Sequence, residues 1–279
     1  MKRIKIVGLC LVAAFALSAI VASSALAAKH INKGPIVIHA VSGIAFLELE
    51  KGAGKVECKT SETTGEITSA TGGTVVATFH GCETLGKVCA SEGAPAATII
   101  TKLLATETGY VGVGGTKVGG DFKPASGLYN AEFECPGSPD IFNKVKGSVI
   151  GEITPANSMS TESKSILKES GGKQEFEKFD TGLKDTLISE VSSTGKGGPF
   201  GEFGGVQNVT STVVNQPQEV KKGKKTEKFA DPAMVKTGGA QPEYGRCRTK
   251  AKGKFLDGNC TSKVSGKQKG KFEFYPVPS

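Results

Sequence analysis

The chain has 279 residues, 38 of them glycine, with no tryptophan and only 6% aromatic residues. The glycines follow no three-residue period, which excludes collagen. The net charge of +8 is split: 15 Lys/Arg stand against 5 Asp/Glu from Lys221 onward, and 17 against 22 over residues 28–220. The basic end lacks the interleaved aromatic residues of a nucleic-acid surface, so no nucleic-acid partner is expected.

Residues 1–27 have the pattern of a secretory signal peptide. A basic head (Lys2, Arg3, Lys5) precedes an apolar run over 6–22, and Ala25 and Ala27 fill the small-residue positions of a cleavage site. Cleavage is expected after Ala27 or Ala28. The mature chain is then secreted, extracellular or associated with the cell envelope. No later segment has 18 uninterrupted apolar residues, so no transmembrane helix is expected after the signal. The rest divides into a main β domain over 28–218, a basic linker over 219–241 and a small two-cysteine β module over 242–279.

Strand signals begin at Ile36-Val37-Ile38 and Ile44-Ala45-Phe46-Leu47. Both are continuous apolar runs, which predicts strands covered on both faces. Alternation follows, because strand side chains switch faces at each residue. Val56 and Cys58 share one face; so do Val75, Ala77 and Phe79. Tyr129, Ala131, Phe133 and Cys135 are expected inside, opposite Asn130, Glu132 and Glu134. Val145, Val149 and Ile153 alternate with Lys144, Lys146, Ser148 and Glu152. Turns are expected at residues 52–54, 71–73, 112–120, 137–139 and 171–172, where glycines cluster. Residues 161–169 read equally as a short helix or a strand. Short strands with glycine-rich punctuation predict an all-β fold, an antiparallel sandwich or barrel followed by the small stapled module.

Cys10 leaves with the signal, and six cysteines remain. An even count in an exported chain predicts disulfides. Cys247 is expected to pair with Cys260, since both stand far from the rest. Among the other four, Cys82–Cys89 with Cys58–Cys135 is the favoured pairing, because Cys82 and Cys89 flank a short turn. Cys58–Cys82 with Cys89–Cys135 is the competitor.

Two blocks carry a resemblance. One runs from Gly81-Cys82 and Cys89-Ala90-Ser91-Glu92-Gly93-Ala94 through Asp121-Phe122-Lys123-Pro124-Ala125-Ser126-Gly127 to Lys146-Gly147-Ser148-Val149-Ile150-Gly151-Glu152-Ile153-Thr154-Pro155. The other is Pro242-Glu243-Tyr244-Gly245-Arg246-Cys247 with Cys260-Thr261 and Gly270-Lys271-Phe272-Glu273. Both resemble a large group of uncharacterised secreted β-rich proteins of soil actinobacteria. The resemblance implies export and a bacterial source, and supplies no activity or site. Phe274 stands where the group's second block would carry a tryptophan.

Catalytic patterns are thin. His30, His39 and His80 are the three histidines and do not cluster in sequence, so no metal and no cofactor are expected. Ser165-Ile166-Leu167-Lys168 and Lys236-Thr237-Gly238 match two elements of penicillin-binding enzymes, but the connecting S-D-N element is missing. Gly112 to Lys117 superficially suggests a phosphate loop, yet strands are expected on both sides of it. Glu132 and Glu134 share a strand face, the arrangement a glycoside hydrolase would need. The expected function is a non-catalytic binding or structural protein, with a secreted hydrolase as the alternative. Lys221, Lys222, Lys224, Lys225 and Lys228 are candidate anion-binding residues toward an envelope polymer or another extracellular partner.

Overall fold

The computed structural model describes residues 36–69, 71–112, 115–156, 162–179 and 186–215, together with the backbone of four further strands. In chain order the first strands are β1 (Ile36–Ser42), β2 (Ala45–Leu49), β3 (Gly54–Cys58), β4 (Thr60–Ile67), β5 (Gly72–His80), β6 (Glu83–Thr84), β7 (Lys87–Val88) and β8 (Thr98–Ile100). Next come β9 (Leu104–Val111), β10 (Lys117–Pro124), β11 (Tyr129–Cys135), β12 (Ile141–Gly147), β13 (Val149–Thr154) and β14 (Glu162–Leu167). Then follow β15 (Glu169–Ser170), β16 (Lys173–Gln174), β17 (Leu187–Ser192) and β18 (Gly201–Asn215).

Of the two expected architectures the chain takes the barrel. β1, β4, β5, β9, β10, β13, β14 and β18 are antiparallel neighbours in that order, and β18 returns to pair with β1. The wall is therefore an up-and-down meander in chain order. Its connections alternate between two ends. At one end they are short, over residues 68–71, 112–116 and 155–161. At the other end every connection carries extra strands: β2–β3, β6–β8, β11–β12 and β15–β17.

Most of these extra strands form a second sheet over that end. Its order is β11, β12, β17, β18, β2, β3, β6, β7. β18 belongs to both sheets. Its first half pairs with β17 at Leu187↔Gly205 and with β2 at Phe46↔Asn208. Its second half pairs with β14 at Leu167↔Val209 and with β1 at Ser42↔Ser211. One strand thus runs from cap to wall, and the two sheets share one core. Val56, Phe133 and Val145 of the cap pack in the same cluster as Val149, Leu167 and Val209 of the barrel. The edges of the cap sheet meet where Ala90 and Glu134 exchange backbone hydrogen bonds, each 2.9 Å long.

The cysteine pairing is the competitor, not the favoured one. The bonds are Cys58–Cys82 and Cys89–Cys135. Strand register explains both. Thr60 is opposite His80 in the β4–β5 ladder, and Lys59 N donates to His80 O at 2.9 Å, so continuing the ladder sets Cys58 opposite Cys82. The Ala90–Glu134 pair likewise sets Cys89 opposite Cys135. Cys89 N does donate to Cys82 O at 2.9 Å. The two are neighbours as expected, but through the backbone, and all four sulfurs lie in one buried cluster.

Other expectations need correction. Val37, Val41 and Ile44 are 43%, 45% and 55% exposed, so the first apolar runs are covered on one face only. Of the two readings left open for residues 161–169, the strand is the one taken: Glu162–Leu167 form β14, paired with β13 and β18. The run from Lys144 to Ile153 is two strands, broken at Ser148. Gly119 and Gly120 are not turn residues but lie inside β10. A Cβ at Gly119 would sit 2.7 Å from Val111 and 2.8 Å from Ile150, the residues that Phe179 covers on the outer wall. The expected turns at 137–139 and 171–172 do fall between strands, whereas Gly54 of the expected turn at 52–54 opens β3, and Gly72 and Gly73 of that at 71–73 open β5.

The barrel and cap together span 36–215. Within the expected linker the backbone forms an antiparallel ribbon of β19 (Gln218–Lys222) and β20 (Lys225–Phe229). In the expected module, β21 (Arg246–Thr249) pairs with β22 (Phe272–Tyr275). Cys247 lies in β21; Cys260, and so the proposed terminal disulfide, is outside the described residues.

Candidate ligand-binding site in the barrel lumen

The barrel wall sorts its side chains cleanly. Val75, Ala77, Phe79, Phe122 and Val209 point inward. Outward lie charged residues in pairs, such as Lys117–Glu152 and Lys123–Glu107, both 2.7 Å. Apolar inside and charged outside is the reverse of a lipid-embedded barrel. Among the described residues no helix is long and apolar enough to cross a membrane.

The interior is not filled. A cavity of about 230 Å³ occupies the lumen. Small side chains leave this space: Ala40, Ser61, Ala77 and Gly120 line it. Val56, Ala131, Phe133 and Val145 of the cap roof it. At the far end its lining is only partly buried, at Ile38, Ile67, Ser163 and Val213, and Glu66 and Lys164 stand beside them. Several hydroxyls inside are spent on the wall itself. Thr101 Oγ1 accepts from Ala77 N, Thr106 Oγ1 accepts from Gly73 N, and Ser61 shares a 2.6 Å hydrogen bond with Ser42.

One polar group in the lining is different. The β11–β12 register shifts between Tyr129 and Ala131, leaving Asn130 as an extra, bulged residue. A bulge lets two successive side chains leave the usual alternation. Tyr129 goes outward, contrary to the expected pattern. Its hydroxyl donates to Glu190 Oε2 at 3.0 Å, and Lys102 and Lys144 lie 5.6 and 5.4 Å from its ring. The hydrogen bond to Glu190 raises the Tyr129 pKa. Glu190 itself is held below the usual carboxylate range, first by the hydrogen bond from Lys146. Asn130, expected on the wet face, is instead 6% exposed and lines the cavity. Its Nδ2 donates to Gly147 O at 2.9 Å, while its Oδ1 is buried with no hydrogen-bond partner. Gly147 has φ +87°, and a Cβ there would lie 2.0 Å from Thr186 O, so only glycine lets β12 take this course.

The residues singled out by sequence are not gathered here. Glu132 and Glu134 lie on the outer face of β11, and Glu132 pairs with Lys102. Ser165 lines the lumen, but Lys168, just past the end of β14, is exposed and does not line it. Lys236-Thr237-Gly238 and His30 are outside the described residues. His39 lies 3.9 Å from Glu62 on the outer wall, and the described residues contain no group of metal-ligating side chains. The antiparallel neighbours β9 and β10 flank residues 112–116, where strands on both sides were expected, and Lys117 opens β10. Lys221, Lys222, Lys225 and Lys228 lie in the β19–β20 ribbon, and Lys224 is outside the described residues. Asn130 was missed because no composition or spacing signal marks a bulge. No family, curated protein or solved structure matches the chain.

Proposed function

We propose that this is an exported, non-catalytic binding protein whose ligand is a small apolar molecule held in the barrel lumen. The observation that carries the reading is the unfilled, largely apolar interior. Eight-stranded barrels are just wide enough to be filled by their own side chains or to hold one small ligand. Here the wall keeps small residues where filling would need large ones. By comparison with a 150 Å³ apolar cavity that accepts benzene, this lumen suits a ligand of roughly ten non-hydrogen atoms. At about −0.6 kcal/mol per atom such a ligand binds with a Kd of order tens of micromolar.

Naphthalene has that size and no polar group, and its fluorescence allows direct titration. The parent protein is expected to bind it, and an Ala77→Phe variant is expected to lose binding while keeping its fold and unfolding midpoint. Ala77 lines the cavity, so the added ring takes the space a ligand would use. Folded parent protein that fails to bind naphthalene would falsify the lumen reading.

Export rests on the signal pattern of residues 1–27 and on the two disulfides, which persist in oxidising compartments. Material from culture medium is expected to begin at Ala28 or Lys29 on N-terminal sequencing; an intact Met1 in the cytosol overturns this. The lysines from Lys221 to Lys228 would hold the protein near an anionic envelope polymer. The reading as non-catalytic rests on a largely alkyl and aromatic lining, in which Ser61, Thr101 and Thr106 are hydrogen-bonded within the wall and the charged residues Glu66, Glu162 and Lys164 stand at the partly exposed end. Glu132 and Glu134, two acids on one strand face, do not line it.

A further inference from the structure

We infer that the lumen takes an uncharged amphiphile, an aliphatic alcohol, with its alkyl end beneath the cap and its hydroxyl against Ser163, Ser165 and Ser211. The inference rests on the lumen reading above and adds the chemistry and direction of the ligand.

The lining changes along the barrel. Beneath the cap, Phe79, Phe122, Val149, Leu167 and Val209 of the wall meet Phe133 of β11 in one apolar cluster. Further from the cap, serine recurs at alternate positions of β14, so Ser163 and Ser165 face the lumen before Leu167 does. In the β14–β18 ladder Ser165 is opposite Ser211, which also lines the lumen. Directly opposed residues hold their Cβ atoms roughly 5 Å apart, so these two hydroxyls stand side by side. Along β9, β10 and β13 the end away from the cap carries carbon instead, where Val118 packs with Tyr110 and Ile153.

The serine hydroxyls are not spent on the wall. Ser61, Thr101 and Thr106 are hydrogen-bonded within it. Among the described residues Ser163, Ser165 and Ser211 have no such bond, and all three are partly accessible. A hydroxyl both donates and accepts, so an adjoining set of them can serve an alcohol in both ways at once. Gln207, at the junction of cap and wall, also lines the lumen. It is a single amide, whereas the three serines adjoin one another. The alkyl chain is most favourably placed among the carbons beneath the cap, where a hydroxyl would lose its water partners without replacement. A charged head fits the serines poorly, since hydroxyls alone do not offset the desolvation of an ion. The charges of Glu66, Glu162 and Lys164 stand at the partly exposed end, where solvent screens them.

The test uses n-octanol, close to the roughly ten non-hydrogen atoms the lumen suits, read by displacement of naphthalene fluorescence. Octanol is expected to displace naphthalene, and n-octanoate and n-octylammonium to do so at least tenfold less well. In a Ser165→Ala/Ser211→Ala double variant octanol should bind about tenfold more weakly, the equivalent of about 1.4 kcal/mol, with naphthalene affinity unchanged. Intermolecular NOEs read the direction. The terminal methyl of octanol should contact the rings of Phe79 and Phe133, and its carbinol methylene the β-protons of Ser163 and Ser165. If the double variant does not fold, the NOEs on the parent protein decide. With naphthalene still bound, four results overturn this inference and leave the lumen reading standing. They are failure of octanol to bind, equal octanol affinity in parent and variant, a charged analogue as tight as octanol, and a carbinol methylene against Gln207 or the cap aromatics. Failure of both naphthalene and octanol to bind overturns both readings.

Discussion

Replacing Cys89 and Cys135 together by serine is expected to lower stability by about 4 kcal/mol. That is the chain-entropy value for closing a loop of the 46-residue separation between them. For a domain of this size the unfolding midpoint should fall by roughly 8–16 °C. The native-state consequence is more specific. Cys89–Cys135 joins the two edges of the cap sheet. Besides the disulfide, that seam has the paired backbone bonds of Ala90 and Glu134 and the bond from Ser91 Oγ to Glu132 O, 2.9 Å long. Loss of the disulfide should let the seam open locally. Amide exchange at Ala90 and Glu134 is then expected to speed up well before global unfolding. The Cys58–Cys82 bond extends the continuous β4–β5 ladder instead. Its removal should give a drop of about 3.5 kcal/mol from the shorter loop with no selective opening of the seam. Peptide mapping of unreduced protein checks the pairing directly, and a Cys82–Cys89 peptide would refute the register argument.

Phe133→Ala should be comparably severe, at about 3–5 kcal/mol. Phe133 is 2% exposed and packs where cap and barrel share their core. Truncation removes its buried surface and leaves a void that the sheets on either side cannot close. Urea unfolding measures the loss. Leu128→Ala supplies the contrast: Leu128 is 71% exposed, and its truncation should change stability by no more than about 0.5 kcal/mol. Because Phe133 also roofs the cavity, the void adds to the lumen. An apolar ligand at saturation should therefore raise the midpoint of the variant more than that of the parent. A Phe133→Ala protein as stable as the parent would mean that the cap does not pack on the barrel.

The local pattern of this chain is legible without a structure. Val56 and Cys58, and Val75, Ala77 and Phe79, face inward as their alternation requires, because a strand's two faces are fixed by a period of two residues. The turn after Val111 is readable from Gly112 and Gly115, which have φ of +83° and +63°. What alternation cannot say is which strand lies beside which. Closure of β18 onto β1 joins residues more than 160 positions apart. Gathering four connections into one cap is likewise a long-range event with no local signature. The cysteine pairing followed from the same source: the register of β4 with β5 and the meeting of Ala90 with Glu134 decided it, against the short-range proximity of Cys82 and Cys89. Val37, Val41 and Ile44 looked buried because apolar runs have no wet face to show, and only the fold reveals which side stays uncovered. Asn130 is the sharpest case. Its neighbours alternate, so sequence assigns it to solvent. A single residue inserted into one strand of a ladder shifts every face before it, and where that insertion falls is settled by pairing across the sheet. The sequence determined a strand-rich chain with inward apolar rows. Tertiary packing alone decided that those rows enclose an unfilled lumen and that a bulge brings Asn130 into its lining.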